Sequence, residues 1–320
     1  NKPYLLAVMH HLVFDSVSFD VLNNDLQSLI QHDGDQCRHL FDGRYPNQSY
    51  TSVCRELGIS AKTKTLHDHA GHWLEVPWEL AESLPAELNN GSNTYSSSSV
   101  QSVHLSLGSH WDSVSQPEFQ IDEILLRAMG GAFCHAFDVS HFLVDYTSHG
   151  RDVDLEVNGL PNVFGYLTCV APLLIDVLPN LGNEDPYVYL HQTLELARTQ
   201  STTFGLLKYL ADSEQIQSAI RKIPQPSIKF NYHGKYQPDE HQFLKPIDMK
   251  FAGVMPGDEE RFYQFNIEAY QTDKDRLLVE IKYSRNVYSD ALIKNLLRQL
   301  KDQFQSQLSV NQTKEAIRTS

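Results

Sequence analysis

Met9-His10-His11-Leu12-Val13-Phe14-Asp15-Ser16-Val17-Ser18 is the stretch on which the reading of this chain turns. An apolar run, Tyr4-Leu5-Leu6-Ala7-Val8-Met9, ends in two adjacent histidines, and an acid follows four residues after the second. The run has the length of a buried strand. Successive strand side chains point to opposite faces, so one imidazole is expected to meet substrate while the other packs or hydrogen-bonds into the scaffold. A neutral histidine can take a proton from an amine or a carbon acid, and Asp15 is expected to hold the loop by pairing with an arginine. Two adjacent histidines are by themselves more often unremarkable than catalytic, so the surroundings must decide.

Working outward, Phe19–Ile30 repeats apolar positions at intervals of three and four, which predicts an amphipathic helix with Ser18 as its cap. Helical patterns follow near Tyr50–Leu57 and over Leu66–Leu84, and the polar tract Leu88–Gln101, with four consecutive serines, reads as a boundary or exposed loop. Beyond it the patterns predict a strand at Val103–Leu107, a helix over Ile121–Phe137 and a strand at Phe142–Tyr146. A strand over Tyr166–Val177 is expected to be interrupted near Pro172, and a helix covers Tyr187–Thr199. Strands are predicted at Ile228–Tyr232, Phe262–Tyr270 and Arg276–Tyr283. Ser289 caps a closing helix to Gln307 with Leu292, Leu296, Leu297 and Leu300 on one face. The fold class is therefore mixed α/β (α+β), and no repeat of solenoid or propeller length is visible. The opening directly into an apolar run without an initiator Met reads as a fragment cut inside a larger domain.

Composition narrows the function. The 320 residues carry 26 Lys+Arg against 40 Asp+Glu, a net charge of −14, which repels a polyanion and argues against nucleic acid. An apolar fraction of 41% supports folded cores, and the length suits two domains or lobes. Tyr4–Met9 and Cys169–Leu178 are far shorter than the ~20 residues of a membrane-spanning helix. Cys37, Cys54, Cys134 and Cys169 form no CxxC, a usage that fits reduced thiols and a cytoplasmic location.

The pattern HHxxxDxxS, followed here by Phe-Asp-Val-Leu-Asn-Asn-Asp-Leu, closely resembles the active-site motif of the condensation and epimerisation domains of nonribosomal peptide synthetases. His149-Gly150-Arg151, then Asn162-Val163-Phe164-Gly165-Tyr166-Leu167-Thr168 and Pro172-Leu173, resembles that superfamily's Gly-Arg segment and the strand after it. Phe230-Asn231-Tyr232-His233-Gly234 is similar to an element typical of the epimerisation branch. The resemblance implies chloramphenicol-acetyltransferase-like lobes with a tunnel between them, into which phosphopantetheine arms of carrier proteins deliver thioesters. It implies an incomplete N-terminal lobe over residues 1–100, holding the motif and its helices, and a C-terminal lobe over 101–320. His11 would be the catalytic histidine, His10 its scaffold neighbour and Asp15 the structural acid. Arg151, Asn231, Tyr232, Thr147 and Ser16 would form the surrounding substrate site.

The implied reactions differ in what they ask of these residues. Condensation joins a carrier-bound acyl or peptidyl group to the amine of a carrier-bound aminoacyl group, with His11 orienting or deprotonating the amine. Epimerisation removes and returns a Cα proton, which needs acid/base groups on both faces of an enolate-like intermediate. The epimerisation branch has a Glu where this chain has Thr147, and a threonine hydroxyl is no carboxylate base, so Asp145, Tyr146 or another neighbour would have to substitute. Ser16 also replaces a Gly that commonly follows the Asp. Amide formation is therefore the favoured expectation, with altered epimerisation or a non-catalytic carrier-docking module as alternatives. As part of a full-length domain the chain is expected to be an enzyme that binds no cofactor of its own. Its partners are carrier domains and neighbouring synthetase domains, with docking on a local basic patch such as Lys208 or Arg221–Lys222.

Three other signals have plainer readings. His67-Asp68-His69-Ala70-Gly71-His72 approaches a two-zinc hydrolase pattern but has Gly71 where an Asp is needed, so no metal is assigned and a helix surface is expected. Asn47-Gln48-Ser49, Asn90-Gly91-Ser92 and Asn311-Gln312-Thr313 match glycosylation acceptors by chance. The glycines form no phosphate-binding pattern.

Overall fold

The computed structural model describes residues 5–32, 49–108, 121–151, 160, 163–177, 187–235 and 257–318. Tyr4, Cys37, Asn47, Gln48 and Asn162, which figure in the sequence reading, lie outside them, as do the side chains of Asn311–Thr313. Helix α1 runs over Ser16–Gln31, α2 over Tyr50–Ser60 and α3 over Lys64–Leu74. A 3-10 turn at Trp78–Leu80 leads to strand β1 at Ser98–Ser106, helix α4 at Ile121–Phe137, and strands β2 at His141–Ser148 and β3 at Cys169–Asp176. Helices α5, Val188–Tyr209, and α6, Glu214–Arg221, precede strands β4, Ile228–Lys235, β5, Phe265–Asp273, and β6, Arg276–Ser284. Helix α7 closes the order at Asp290–Arg318.

The six strands form one mixed sheet in the order β1-β6-β5-β4-β2-β3. The pairs β1–β6, β6–β5 and β2–β3 are antiparallel, whereas β5–β4 and β4–β2 are parallel. Strict alternation in β5 and β6 explains their orientation. Phe265, Ile267, Ala269, Val279 and Ile281 are buried on one face, and Asn266, Glu268, Tyr270, Glu280 and Lys282 are half-buried on the other. The apolar face meets α4 and α7 through Phe133, Phe137, Leu296 and Phe304. At its centre the Phe265 ring lies 5.4 Å from Phe133, 5.9 Å from Phe137 and 4.5 Å from Tyr288, the offset and edge-on spacings that aromatic quadrupoles favour. Residues Ala61 to Leu84 pack into the same core.

Several elements depart from expectation for local reasons. Residues 5–10 pair with no strand among the described residues, and Leu5 and Val8 are 68% and 84% exposed. A strand is defined by its ladder, so the apolar run alone does not make one. Asp15, not Ser18, caps α1: its carboxylate accepts the Ser18 amide N–H, which puts Ser18 in the first turn. The helix over Leu66–Leu84 stops at Leu74, because Pro77 disfavours helix in the residue before it, and the Trp78 indole donates to the Trp73 carbonyl at 2.6 Å. The serine tract enters β1 at Ser98, an edge strand whose solvent side tolerates polar residues. Pro172 sits within β3 opposite Asp145 rather than interrupting it, because one side of an edge strand has no ladder to supply. Helix α5 runs past Thr199, with non-helical geometry at Gln200 (φ −131°, ψ 18°), and its first turn is held by Asp176 accepting from Tyr189 and Leu190. Ser289 does cap the closing helix, its hydroxyl accepting from Leu292 N–H at 3.1 Å.

No helix of the described residues is long and apolar enough to cross a membrane. Since Phe265 is fully buried against three other aromatic rings, Phe265→Ala is expected to lower stability by about 3–5 kcal/mol. Urea denaturation followed by tryptophan fluorescence measures this.

Candidate active site

The motif loop is fastened from below by Asp15. Its side chain is fully buried and forms a two-pronged ion pair with Arg151: Nη1 donates to Oδ2 at 2.7 Å and Nη2 to Oδ1 at 2.9 Å. The carboxylate also accepts from Ser18 N–H at 2.9 Å, Ser18 Oγ at 2.8 Å and Leu167 N–H at 3.0 Å. Burial alone would raise the Asp15 pKa, but Arg151 and these donors outweigh it and hold the carboxyl far below its usual range. Arg151 in turn donates to the carbonyls of His149 at 3.0 Å and Val163 at 3.1 Å. Ser18 links the two chain segments, accepting from Gly165 N–H at 2.9 Å.

Two glycines make this crossing fit. Gly150 has φ +67°, and a Cβ there would collide with the Leu167 carbonyl oxygen. A Cβ on Gly165 would collide with the Tyr50 ring, whose hydroxyl donates to the Tyr166 carbonyl at 2.9 Å. Thus the start of α1, the end of β2, the approach to β3 and the start of α2 meet in one polar knot.

Above the knot, His10 and His11 lie in a turn rather than a strand. Val13 N–H donates to the His10 carbonyl at 3.0 Å, and Leu12 N–H donates to His10 Nδ1 at 3.1 Å. His10 thus serves the turn. His11 Nδ1 lies 2.8 Å from the Phe14 carbonyl oxygen, which can only accept, so Nδ1 is the donor here and, in the neutral ring, Nε2 is the nitrogen with the free lone pair. The His11 ring stands 5.3 Å from both Phe14 and Tyr166 and is exposed. Ser16, the first residue of α1, is also exposed.

The other expected residues lie on the sheet. Thr147, near the end of β2, has a buried Oγ with no hydrogen-bond partner among the described residues. The parallel register that pairs Tyr146 with Phe230 brings Thr147 alongside Asn231 on one face. Asn231 Nδ2 lies 3.0 Å from His233 Nε2. Strand alternation turns Tyr232 to the opposite face, where burial and then the charge of Asp122 push its hydroxyl up to about 12. Asp145 shares the Thr147 face; burial raises its pKa against the bonds it accepts from Tyr263 Oη at 2.7 Å and Gln225 Nε2 at 3.2 Å. Tyr146 faces away, donating to Asp122 at 2.8 Å. Gly150 and Gly165 fall inside the segments that carry the family resemblance, whereas the Tyr50 ring and the Val163 carbonyl, which close the knot, escape a motif search.

His67 pairs with Asp212 at 2.9 Å, and the described residues contain no group of three or more His, Cys, Asp or Glu arranged to hold a metal.

The family profile described as "Condensation domain" matches residues 1–316. A linear gramicidin synthase of Brevibacillus parabrevis is 27% identical over 312 residues, which are 94% of this chain and 6% of that protein. Bacitracin synthase 3 of Bacillus licheniformis is 24% identical over 94% of the chain and 5% of its own length. The chain therefore spans a small part of these relatives. Among solved structures, the epimerization domain from the third module of tyrocidine synthetase B superposes with a TM-score of 0.74 at 20% identity, covering 94% of this chain and 68% of that one. The structure described for condensation domain-mediated chain release from the enacyloxin polyketide synthase superposes at 0.60 with 16% identity, covering 93% and 57%. These likenesses confirm the chloramphenicol-acetyltransferase-like fold.

Removing one member of a buried ion pair leaves the other charge unpaired, so Arg151→Met is expected to cost about 3–5 kcal/mol. The Asp15 pKa is lower folded than unfolded, so its stabilisation is present above the unfolded carboxyl value, about 4, and is lost as pH falls toward the folded one. Denaturation at pH 7 and pH 3 should therefore show the stability gap between Asp15→Asn and wild type narrowing at the lower pH.

Proposed function

The chain belongs to the condensation-domain family, and from that premise we propose that it forms amide bonds between aminoacyl or peptidyl groups carried as phosphopantetheine thioesters in a nonribosomal peptide synthetase. The amine nitrogen of the acceptor attacks the thioester carbonyl, the C–N bond forms, and the C–S bond breaks. The proton lost by the amine passes to His11 Nε2 and then to the departing thiolate. The observation that carries this reading is the 2.8 Å contact between His11 Nδ1 and the Phe14 carbonyl, which leaves Nε2 as the basic atom at the tip of a loop pinned by Asp15 and Arg151. One base suffices for this reaction, and Thr147 adds no second.

His10 shapes the turn, Asp15 and Arg151 position it, and Ser16, Thr147 and Asn231 offer polar atoms for the pantetheine or acyl groups. Tyr232 supports Asn231 from the opposite face. Carrier domains and neighbouring synthetase domains are the partners, with Lys208, Arg221 and Lys222 as the basic docking patch, and no cofactor is assigned to the chain itself.

A second reading, epimerisation, is favoured by the 0.74 superposition on an epimerization domain. It needs a second proton carrier, and Asp145, two positions before Thr147 on the same face, is the nearest carboxyl on that strand. In the complete synthetase, His11→Ala is expected to lower dipeptide formation by about 10²–10⁴-fold, and the wild type in D₂O should incorporate no deuterium at Cα. Unchanged dipeptide yield would overturn the assignment of His11, and Cα exchange lost in Asp145→Asn would replace amide formation with epimerisation.

A further inference from the structure

The half-polar face of the sheet, away from α4 and α7, holds a cavity of about 240 Å³ between Tyr95 and strands β1, β5 and β6. Strands β4 and β2 separate it from the β3 edge beside the motif loop. Its charges are arranged as two poles. At one pole Arg261, 5% exposed, donates to Asn93 Oδ1 at 3.3 Å, the Gln264 carbonyl at 3.4 Å, Asn266 Oδ1 at 3.0 Å and the Lys282 carbonyl at 2.9 Å. All four acceptors are neutral, and among the described residues no carboxylate lies within ion-pair distance of Arg261. The Lys282 ammonium, on the same rung as Asn266, sits 5.6 Å over the Tyr95 ring. A buried cation without a counter-charge is costly, and a carboxylate entering the cavity would neutralise it.

At the other pole Glu268 and Glu280 face each other directly across the β5–β6 ladder, an arrangement in which like charges repel. His233 Nε2 lies 2.6 Å from Glu268 Oε2. Glu280 has no ion-pair partner among the described residues. The two poles are two strand positions apart, about 7 Å.

We propose that this cavity binds a small zwitterion of dipeptide length, its carboxylate on Arg261 and Lys282 and its ammonium between Glu280 and Glu268. Two extended residues span about 7 Å between their ends, which matches the pole separation, whereas a free α-amino acid is too short to reach both. The proposal is independent of the His11 chemistry. Calorimetric titration of the purified chain with glycylglycine is expected to show saturable binding, with glycine, acetate and methylamine at least about tenfold weaker. Because Arg261 also ties backbone segments together, the half-buried Glu280 and Lys282 carry the test. Glu280→Gln and Lys282→Gln should each weaken glycylglycine binding about tenfold while leaving the melting midpoint within a few degrees of wild type. No heat with about 10 mM glycylglycine, wild-type affinity in either variant, or acetate binding as tightly as glycylglycine would each overturn the proposal.

Discussion

The buried pair of Asp15 and Arg151 is the constraint on which the motif loop depends. The two residues are 136 positions apart. Buried ion pairs repay their desolvation only with good geometry and further hydrogen bonds. Here the pairing is two-pronged, and Ser18, Leu167, His149 and Val163 satisfy most of the remaining donors and acceptors, with Arg151 Nε left without a partner among the described residues. Its yield is orientation rather than net stability. Gly150 and Gly165 let the backbones approach closely enough for those bonds to form, and the turn carrying His11 is therefore aimed by polar contacts from below.

The sheet supplies the second constraint. Period-two alternation sends the apolar residues of β5 and β6 toward α4 and α7 and leaves the opposite face with Asn266, Glu268, Glu280 and Lys282. The same alternation turns Asp145, Thr147 and Asn231 to one side and Tyr146 and Tyr232 to the other. Both halves of helix α5, before and after the irregularity at Gln200, pack into the core, through Leu190, Leu194 and Ala197 and through Phe204, Leu206 and Leu207. The second half also brings Ser201 to Cys169 and Thr202 to the Gly150 carbonyl. The helix therefore braces the knot from the side.

Much of this was legible in the residue pattern. The helix over Ile121–Phe137 matches its apolar spacing, the alternation of Arg276–Tyr283 makes a strand, and Ser289 begins the last helix. Asp15 pairs with an arginine, as the motif implies. What escaped depends on partners distant in sequence. Tyr4–Met9 has a strand's composition, yet composition cannot supply a ladder. Asp15 outcompetes Ser18 as a cap because the carboxylate is held in place by Arg151. Tyr232 adjoins Asn231 in sequence, and that adjacency is what puts them on opposite faces. The two-pole cavity leaves no local signal, since its charges are distributed over three strands and a loop.

Helix α1 buries only Ser18 and Gln27, and neither belongs to the hydrophobic core that joins the sheet to α4 and α7. Among the described residues, the side-chain links from the start of α1 to the segment before β3 are the polar ones of Asp15 and Ser18, while the sheet is held by dispersion and apolar burial. A unit fastened in that way opens at a lower free energy than the whole. Its amides would exchange with solvent earlier than those of β5 and β6, and the histidine-bearing turn would come loose while the rest of the lobe stays intact.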